Sequence, residues 1–170
     1  MCQTKYINQY SFIADAMLGK IARKLRIFGF DTIYDPNIDD MDILNSSKYY
    51  GRIVLTNDRV LFRRCKKKGI DTILTDKSTE VENLVTIFRS LDIESINLQK
   101  VPHLCTNCNG LLDTIIDKNL IKDQIPDRLL NSKNMFYQCG QCSKIYWIGS
   151  HMECIDFLIR EINMKLMSAN

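Results

Sequence analysis

"SFIADAMLGKIARKLRIFGFDTIY", residues 11–34, reads as strand, helix, stop and strand in a single run. The strand, "YSFIA" (10–14), ends in apolar residues that leave no polar face, the pattern of a strand buried inside a sheet. Met17, Leu18, Ile21, Ala22, Leu25 and Phe28 then recur at helical spacing, and Gly29 closes that helix. "DTIY" (31–34) is a second strand. Between the first strand and its helix sits Asp15, and on the helix ride Lys20, Arg23, Lys24 and Arg26. An acid at the head of so basic a helix is either a cap or one arm of a cation site.

The same rhythm continues outward. "DDMDILNSSKYY" (39–50) is a helix with Met41, Ile43, Leu44 and Tyr50 as its apolar positions. "RIVLT" (52–56) is a strand, "DRVLFRRCKKKG" (58–69) a helix ending in glycine, and "DTILT" (71–75) a fourth strand. "STEVENLVTIFRSL" (78–91) opens with a capping box from Ser78 or Thr79 to Glu82 and runs on as an amphipathic helix. Strand-helix alternation at this pitch predicts right-handed crossovers and a mostly parallel sheet between helices. The alternation stops after residue 96, where "INLQKVPH" (96–103) leads away. Residues 101–149 read as short strands around cysteines, followed by a final helix with Ile155, Leu158, Ile159, Ile162 and Leu166 on one face and a capping box from Ser150 to Glu153. The expected organisation is therefore an α/β domain over residues 1–100 and a small cysteine module with its helix over residues 101–170.

With 170 residues, 45% of them apolar, the chain can bury a core, and no apolar run is long enough to span a bilayer. The N-terminus lacks the order of a secretory signal, so the expected compartment is the cytoplasm. A net charge of +3 discriminates little, but its distribution does more. Lys20–Arg26 and Arg59–Lys68 hold many cations and no acid, which suits a phosphate backbone or, more simply, two solvated helix faces.

Ligands of an open parallel sheet bind beyond the carboxyl ends of its strands. Asp15, Asp35, Asp58 and Asp76 follow the four strands, and Asp39, Asp40 and Asp42 begin the second helix. Two or three such carboxylates, with waters and a substrate phosphate, satisfy Mg²⁺ or Mn²⁺. Taken singly, Asp15, Asp39 and Asp58 read first as helix caps. Their number at one edge, beside the cations, is what raises the metal-site reading. No phosphate-binding glycine loop is present.

Of seven cysteines, four form C-x₂-C-x₃₀-C-x₂-C: Cys105, Cys108, Cys139 and Cys142. Four thiolates at this spacing close a structural Zn²⁺ site, and the same set would also hold an iron-sulfur cluster. Gly110 and Gly140 are expected to give the two turns their curvature. Cys65 and Cys154 fall in apolar-periodic stretches and are expected to be buried; Cys2 is spare, and His103 and His151 are spare candidate ligands. Tyr146 and Trp147 in "KIYWIG" offer rings for stacking on bases or for packing the small module.

"FIADAMLGKIARKLRIFGFDT", "DPNIDDMDIL", "RIVLTNDRVLFRR", the two C-x-x-C pairs and "KIYWIGSH", in this order, resemble the Mut7-C family from about Phe12 to His151. The resemblance implies a PIN-like ribonuclease fold joined to a zinc ribbon, and metal-dependent cleavage of RNA. It implies Asp15, Asp40 and Asp58 as the catalytic acids, with Asp39, Asp42 and Asp76 as further candidates. Lys20, Arg23, Arg26, Arg59, Arg63, Tyr146, Trp147 and His151 would contact the RNA, expected to be single-stranded. The implied cofactors are a structural Zn²⁺ and a catalytic Mg²⁺ or Mn²⁺. The chain departs from the family pattern at "TND", where "TRD" is usual, at Gly140 and Ser143, where a proline and a glycine are, and at Met152. A module that binds RNA or a ribonucleoprotein without cutting is the rival expectation.

Overall fold

The structure, a computed structural model, describes residues 9–77, 79–98, 103–149 and 151–168, with His151 described by its backbone alone. Ser78, Ser150 and Cys2, and the middle of the 96–103 connection, lie outside the described residues. Four parallel strands form the main sheet: β1 (Phe12–Ala14), β2 (Thr32–Tyr34), β3 (Ile53–Thr56) and β4 (Thr72–Leu74), in the order β2-β1-β3-β4. Ala14 pairs with Tyr34 on one side and Leu55 on the other, and Thr56 pairs with Leu74. The chain moves outward from β1 to β2, then crosses back to β3 and on to β4. The direction of winding therefore reverses between β1 and β3, and the crevice of a doubly wound sheet opens at that point.

The two central strands, β1 and β3, are buried on both faces. Phe12, Ala14, Leu55 and Ile73 enter one core with α1 (Gly19–Ile27) and α4 (Glu80–Arg89). Ile13 and Val54 enter the other, against α2 (Asp40–Tyr50) and α3 (Arg59–Lys67). Leu18, Ile21, Ala22, Leu25 and Phe28 are buried as their spacing predicts, but Met17 is 77% exposed. It lies in a 3-10 turn (Ala16–Leu18) ahead of α1, where the helical period has not begun. In α2, Ile43 and Leu44 face the core, while Met41 and Tyr50 are exposed, correcting the expectation for those two. Helix ends follow the sequence signals: Gly29 and Gly69 take left-handed φ values of 85° and 66°, and Thr79 caps α4 by accepting from the Glu82 amide.

The second half adds an antiparallel sheet of β5 (Leu112–Ile115), β6 (Phe136–Cys139) and β7 (Ile145–Trp147). The loop between β5 and β6 carries a short helix, α5 (Asp127–Ser132). The closing helix, α6 (His151–Met167), buries Ile155, Ile159, Ile162 and Leu166 in the same core as α1 and α4. Cys154, expected to be buried, lies on the exposed side of that helix. It precedes Ile155 by one residue, and one residue is 100° around a helix.

A polar lock closes the amino-terminal end of the sheet. Asp31, just before β2, receives both guanidinium ends of Arg52, at 3.0 and 2.8 Å, and Arg52 also donates to the Phe12 carbonyl at 3.2 Å. Burial works against the Asp31 carboxylate, but the bonds from Arg52 and Asn109 outweigh it and hold its pKa below the usual range. A lowered folded pKa contributes stability that is present above the unfolded value, about 3.9, and is lost as pH falls through the folded one. Urea midpoints at neutral and acid pH should therefore diverge less in Asp31→Asn than in the wild-type protein. An equal acid loss in both would contradict the lock.

Candidate active site and metal centre

At the switch point between β1 and β3, Asp15 leaves the first strand with its amide bonded to the Leu55 carbonyl at 2.9 Å. It precedes the 3-10 turn, yet its side chain makes no capping bond. The carboxylate instead accepts from Thr56 Oγ1 at 2.7 Å. The same hydroxyl oxygen accepts from the Asp58 amide at 2.9 Å. Thr56 is fully buried and thus ties the first acid to the segment that carries the third. Tyr34 fixes the turn from the other side, donating to the Ala16 carbonyl at 3.1 Å. Its ring lies so close to Gly19 that a Cβ there would come 2.6 Å from Tyr34 Oη, which explains a glycine at the start of a helix.

The remaining acids divide by what they bond. Asp58 caps α3 through Oδ1, accepting from the Val60 amide at 2.6 Å, and that bond uses one oxygen of two. Asp39 caps α2 by accepting from the Asp42 amide at 2.8 Å, and Asp35 accepts from the Asn37 amide in a turn. Asp42 is exposed. Asp40 pairs with Arg64 and Asp76 with Arg59, both arginines belonging to α3. Among the described residues no three carboxylates meet at the spacing of a single ion; the structure joins Asp15 and Asp58 through Thr56 and holds Asp40 on Arg64. Sequence reasoning missed Thr56, whose signal was a polar residue closing an apolar strand. It also passed over Glu80 in the first turn of α4, whose Oε1 is buried without a hydrogen-bond partner among the described residues. Asp15 and Asp58, joined through Thr56, offer hard oxygen donors of the kind a divalent cation takes.

The cations expected to meet RNA also divide. Lys20, Arg23, Arg59 and Arg63 are exposed. Arg26 is not: it is 2% exposed, and its guanidinium donates to the carbonyls of Thr32 (2.9 Å), Thr106 and Asn107 (3.0 Å each). It lies in the last turn of α1, on the side that faces the core, six residues after the exposed Lys20. Burial lowers its pKa. Trp147 is 39% exposed and tilts against Phe136. The His151 side chain lies outside what is described.

Cys105, Cys108, Cys139 and Cys142 bring their four sulfurs within 4.8 Å of one another. Cys105 and Cys142 stand 3.5 Å apart and Cys108 and Cys139 3.4 Å. A tetrahedral zinc with Zn–S bonds near 2.3 Å separates its sulfurs by about 3.8 Å, so the cluster fits such an ion with small outward shifts. Burial pushes the Cys105 thiol up, but bonds from the Tyr146 hydroxyl and the Cys108 and Asn107 amides prevail and bring it down to about 6. Tyr146 therefore supports the cluster, bonding Cys105 Sγ at 3.0 Å and Thr106 Oγ1 at 3.2 Å. The left-handed residues of the two turns are Asn109 (φ 72°) and Ser143 (φ 59°), not Gly110 and Gly140 as expected. Gly110 is required for a different reason: a Cβ there would stand 2.9 Å from Cys139 Sγ. Asn109 turns its amide onto the edge of β2, accepting from the Thr32 amide at 3.0 Å and donating to Asp31 at 2.6 Å. With Arg26, it fastens the first cysteine turn to the amino-terminal end of the sheet, the end opposite the acids.

The molecule is thus a doubly wound α/β protein with carboxylates at its switch point and a four-cysteine cluster able to bind a metal such as zinc. The family model for the Mut7-C RNAse domain matches residues 10–159, and the chain belongs to that family. Membership assigns it a ribonuclease-type function with RNA as the substrate class. No curated protein and no solved structure gave a match. No helix among the described residues is long and apolar enough to cross a membrane.

A serine held at φ 59° carries a strain of about 1 kcal/mol that glycine lacks. Ser143→Gly should stabilise the metal-loaded protein by that order, read as a higher urea midpoint. Gly110→Ala should lower its metal affinity. A stabilising Gly110→Ala or a destabilising Ser143→Gly would contradict the turn geometry.

Proposed function

We propose that the chain is a PIN-like nuclease that hydrolyses phosphodiester bonds of single-stranded RNA with Mg²⁺ or Mn²⁺ at the carboxyl edge of its sheet. One observation carries the reading: Asp15 begins a helical turn without capping it, and turns its carboxylate to the hydroxyl that also holds Asp58. A carboxylate whose only local duty was to start a helix would bond the amides it precedes.

In this reading Asp15, Asp58 and Asp40 hold the divalent ion, with Asp39, Asp42 and Asp76 beside them. When bound, the ion lowers the pKa of a coordinated water and stabilises charge on the phosphate. The chain's own part is positional. Thr56 orients Asp15, the Val60 amide orients Asp58, and Tyr34 holds the turn between them and α1. Lys20 and Arg23 on α1, with Arg59 and Arg63 on α3, take the flanking phosphates. The four cysteines, read as a zinc ribbon, brace the opposite end of the sheet through Arg26 and Asn109. Trp147, partly exposed, is in this reading the ring of that module that stacks on a base.

The test is cleavage of a labelled single-stranded oligoribonucleotide with Mn²⁺ added or chelated. Wild-type protein should cut only with the ion, and Asp15→Asn with Asp58→Asn should slow cutting by at least about a hundredfold while RNA binding persists. A protein that binds this RNA and never cuts it, or a variant that cuts as fast as wild type, would establish the rival, a binding module.

A further inference from the structure

We infer that Arg64 is an exchangeable counterion: it holds Asp40 while the acid edge lacks a cation, and a divalent ion releases it to the RNA. This rests on the acid-edge reading above and adds a residue to it. Arg64 Nη1 bonds Asp40 Oδ2, and Nη2 lies 3.5 Å from Met41 Sδ, so the guanidinium lies along the start of α2. The arrangement is repeated on the same helix, where Arg59 bonds Asp76 at 2.7 Å. Both pairs therefore run from α3 to carboxylates of the carboxyl edge. Neighbouring Arg63 points to solvent instead.

The two partners of the Arg64 pair remain 38% and 40% exposed. An ion pair so open to water contributes roughly 0–1 kcal/mol, and a doubly charged cation competes for the carboxylate with twice the charge. Exchange thus runs toward the metal. The released guanidinium stays tethered to α3, within a side chain's length of the same edge, and its planar fork matches the oxygens of a phosphate. Metal and RNA then each favour the other's binding by the same factor, as linkage requires. In this account Arg64 is a substrate-binding residue that touches a flanking phosphate of the RNA and neither the attacking water nor the reacting phosphorus.

The sign of one measurement separates exchange from a merely structural pair. Mn²⁺ binding to the zinc-loaded full-length protein is followed by calorimetry without RNA. Binding of a labelled single-stranded oligoribonucleotide is followed separately, with Ca²⁺ in place of Mn²⁺ to slow cleavage. Arg64→Gln should tighten Mn²⁺ binding about threefold, because the competitor for Asp40 is gone. It should also reduce the enhancement of RNA affinity by Ca²⁺, and Arg64→Lys should fall between. Zinc content and thermal unfolding of each variant report that it is folded. Mn²⁺ affinity unchanged or weakened in Arg64→Gln overturns the exchange while leaving the acid edge intact, provided Asp15→Asn with Asp58→Asn abolishes Mn²⁺ binding. Should that double variant bind Mn²⁺ as wild type does, the acid-edge reading fails, and the exchange with it.

Discussion

β1 is three residues long, wholly apolar, and hydrogen-bonded along both edges to parallel neighbours. A central strand so short and so fully used dictates most of what surrounds it. Parallel partners require crossovers, and burial on both faces requires helices on both sides. All carboxyl ends are then brought to one rim, where the winding reverses. Asp15 stands at that rim because it is the first residue after the strand, and Thr56 meets it because it is the residue of β3 level with it.

The opposite rim has a different chemistry. There, buried or half-buried charges are tied into one network: Arg52 on Asp31, Asn109 on Asp31 and the Thr32 amide, Arg26 on three backbone carbonyls. Removing one member of such a network leaves its partners buried and unpaired, which costs more than the bond itself. The cysteine cluster gains a rigid seat by this means, and the edge of β2 gains cover. The two ends of the sheet thus differ, with a polar network that seats the cysteine turn at one and the strand-end carboxylates at the other.

The alternation of strands and helices was legible because each element repeats its apolar residues at its own period. The four cysteines were legible because their spacing belongs to few other structures. What could not be read were the residues whose meaning depends on direction. Arg26 belongs by spacing to the same basic helix as Lys20 and Arg23, yet it faces the cysteine turn, and only the docked turn reveals that. Met17 matches a helical period that has not started at its position. Asn109 and Ser143 take the left-handed conformation in turns whose glycines, Gly110 and Gly140, do not. Asp15 taken singly read as a cap, and only with the other acids and the basic helix as a metal ligand, because sequence supplies the position of a carboxylate and not the atom it bonds. Asp40 sits in the expected place, but its pairing with Arg64 lies 24 residues away in sequence and leaves no local signal.

The most direct measurement of the central claim locates the ion itself. Crystals of the zinc-loaded protein soaked in Mn²⁺ would be recorded on either side of the manganese absorption edge. A cation site at the carboxyl edge predicts an anomalous manganese peak bonded to Asp15 and Asp58, separate from the metal among the four cysteines. Manganese found only among the cysteines, or nowhere at that edge, would contradict it.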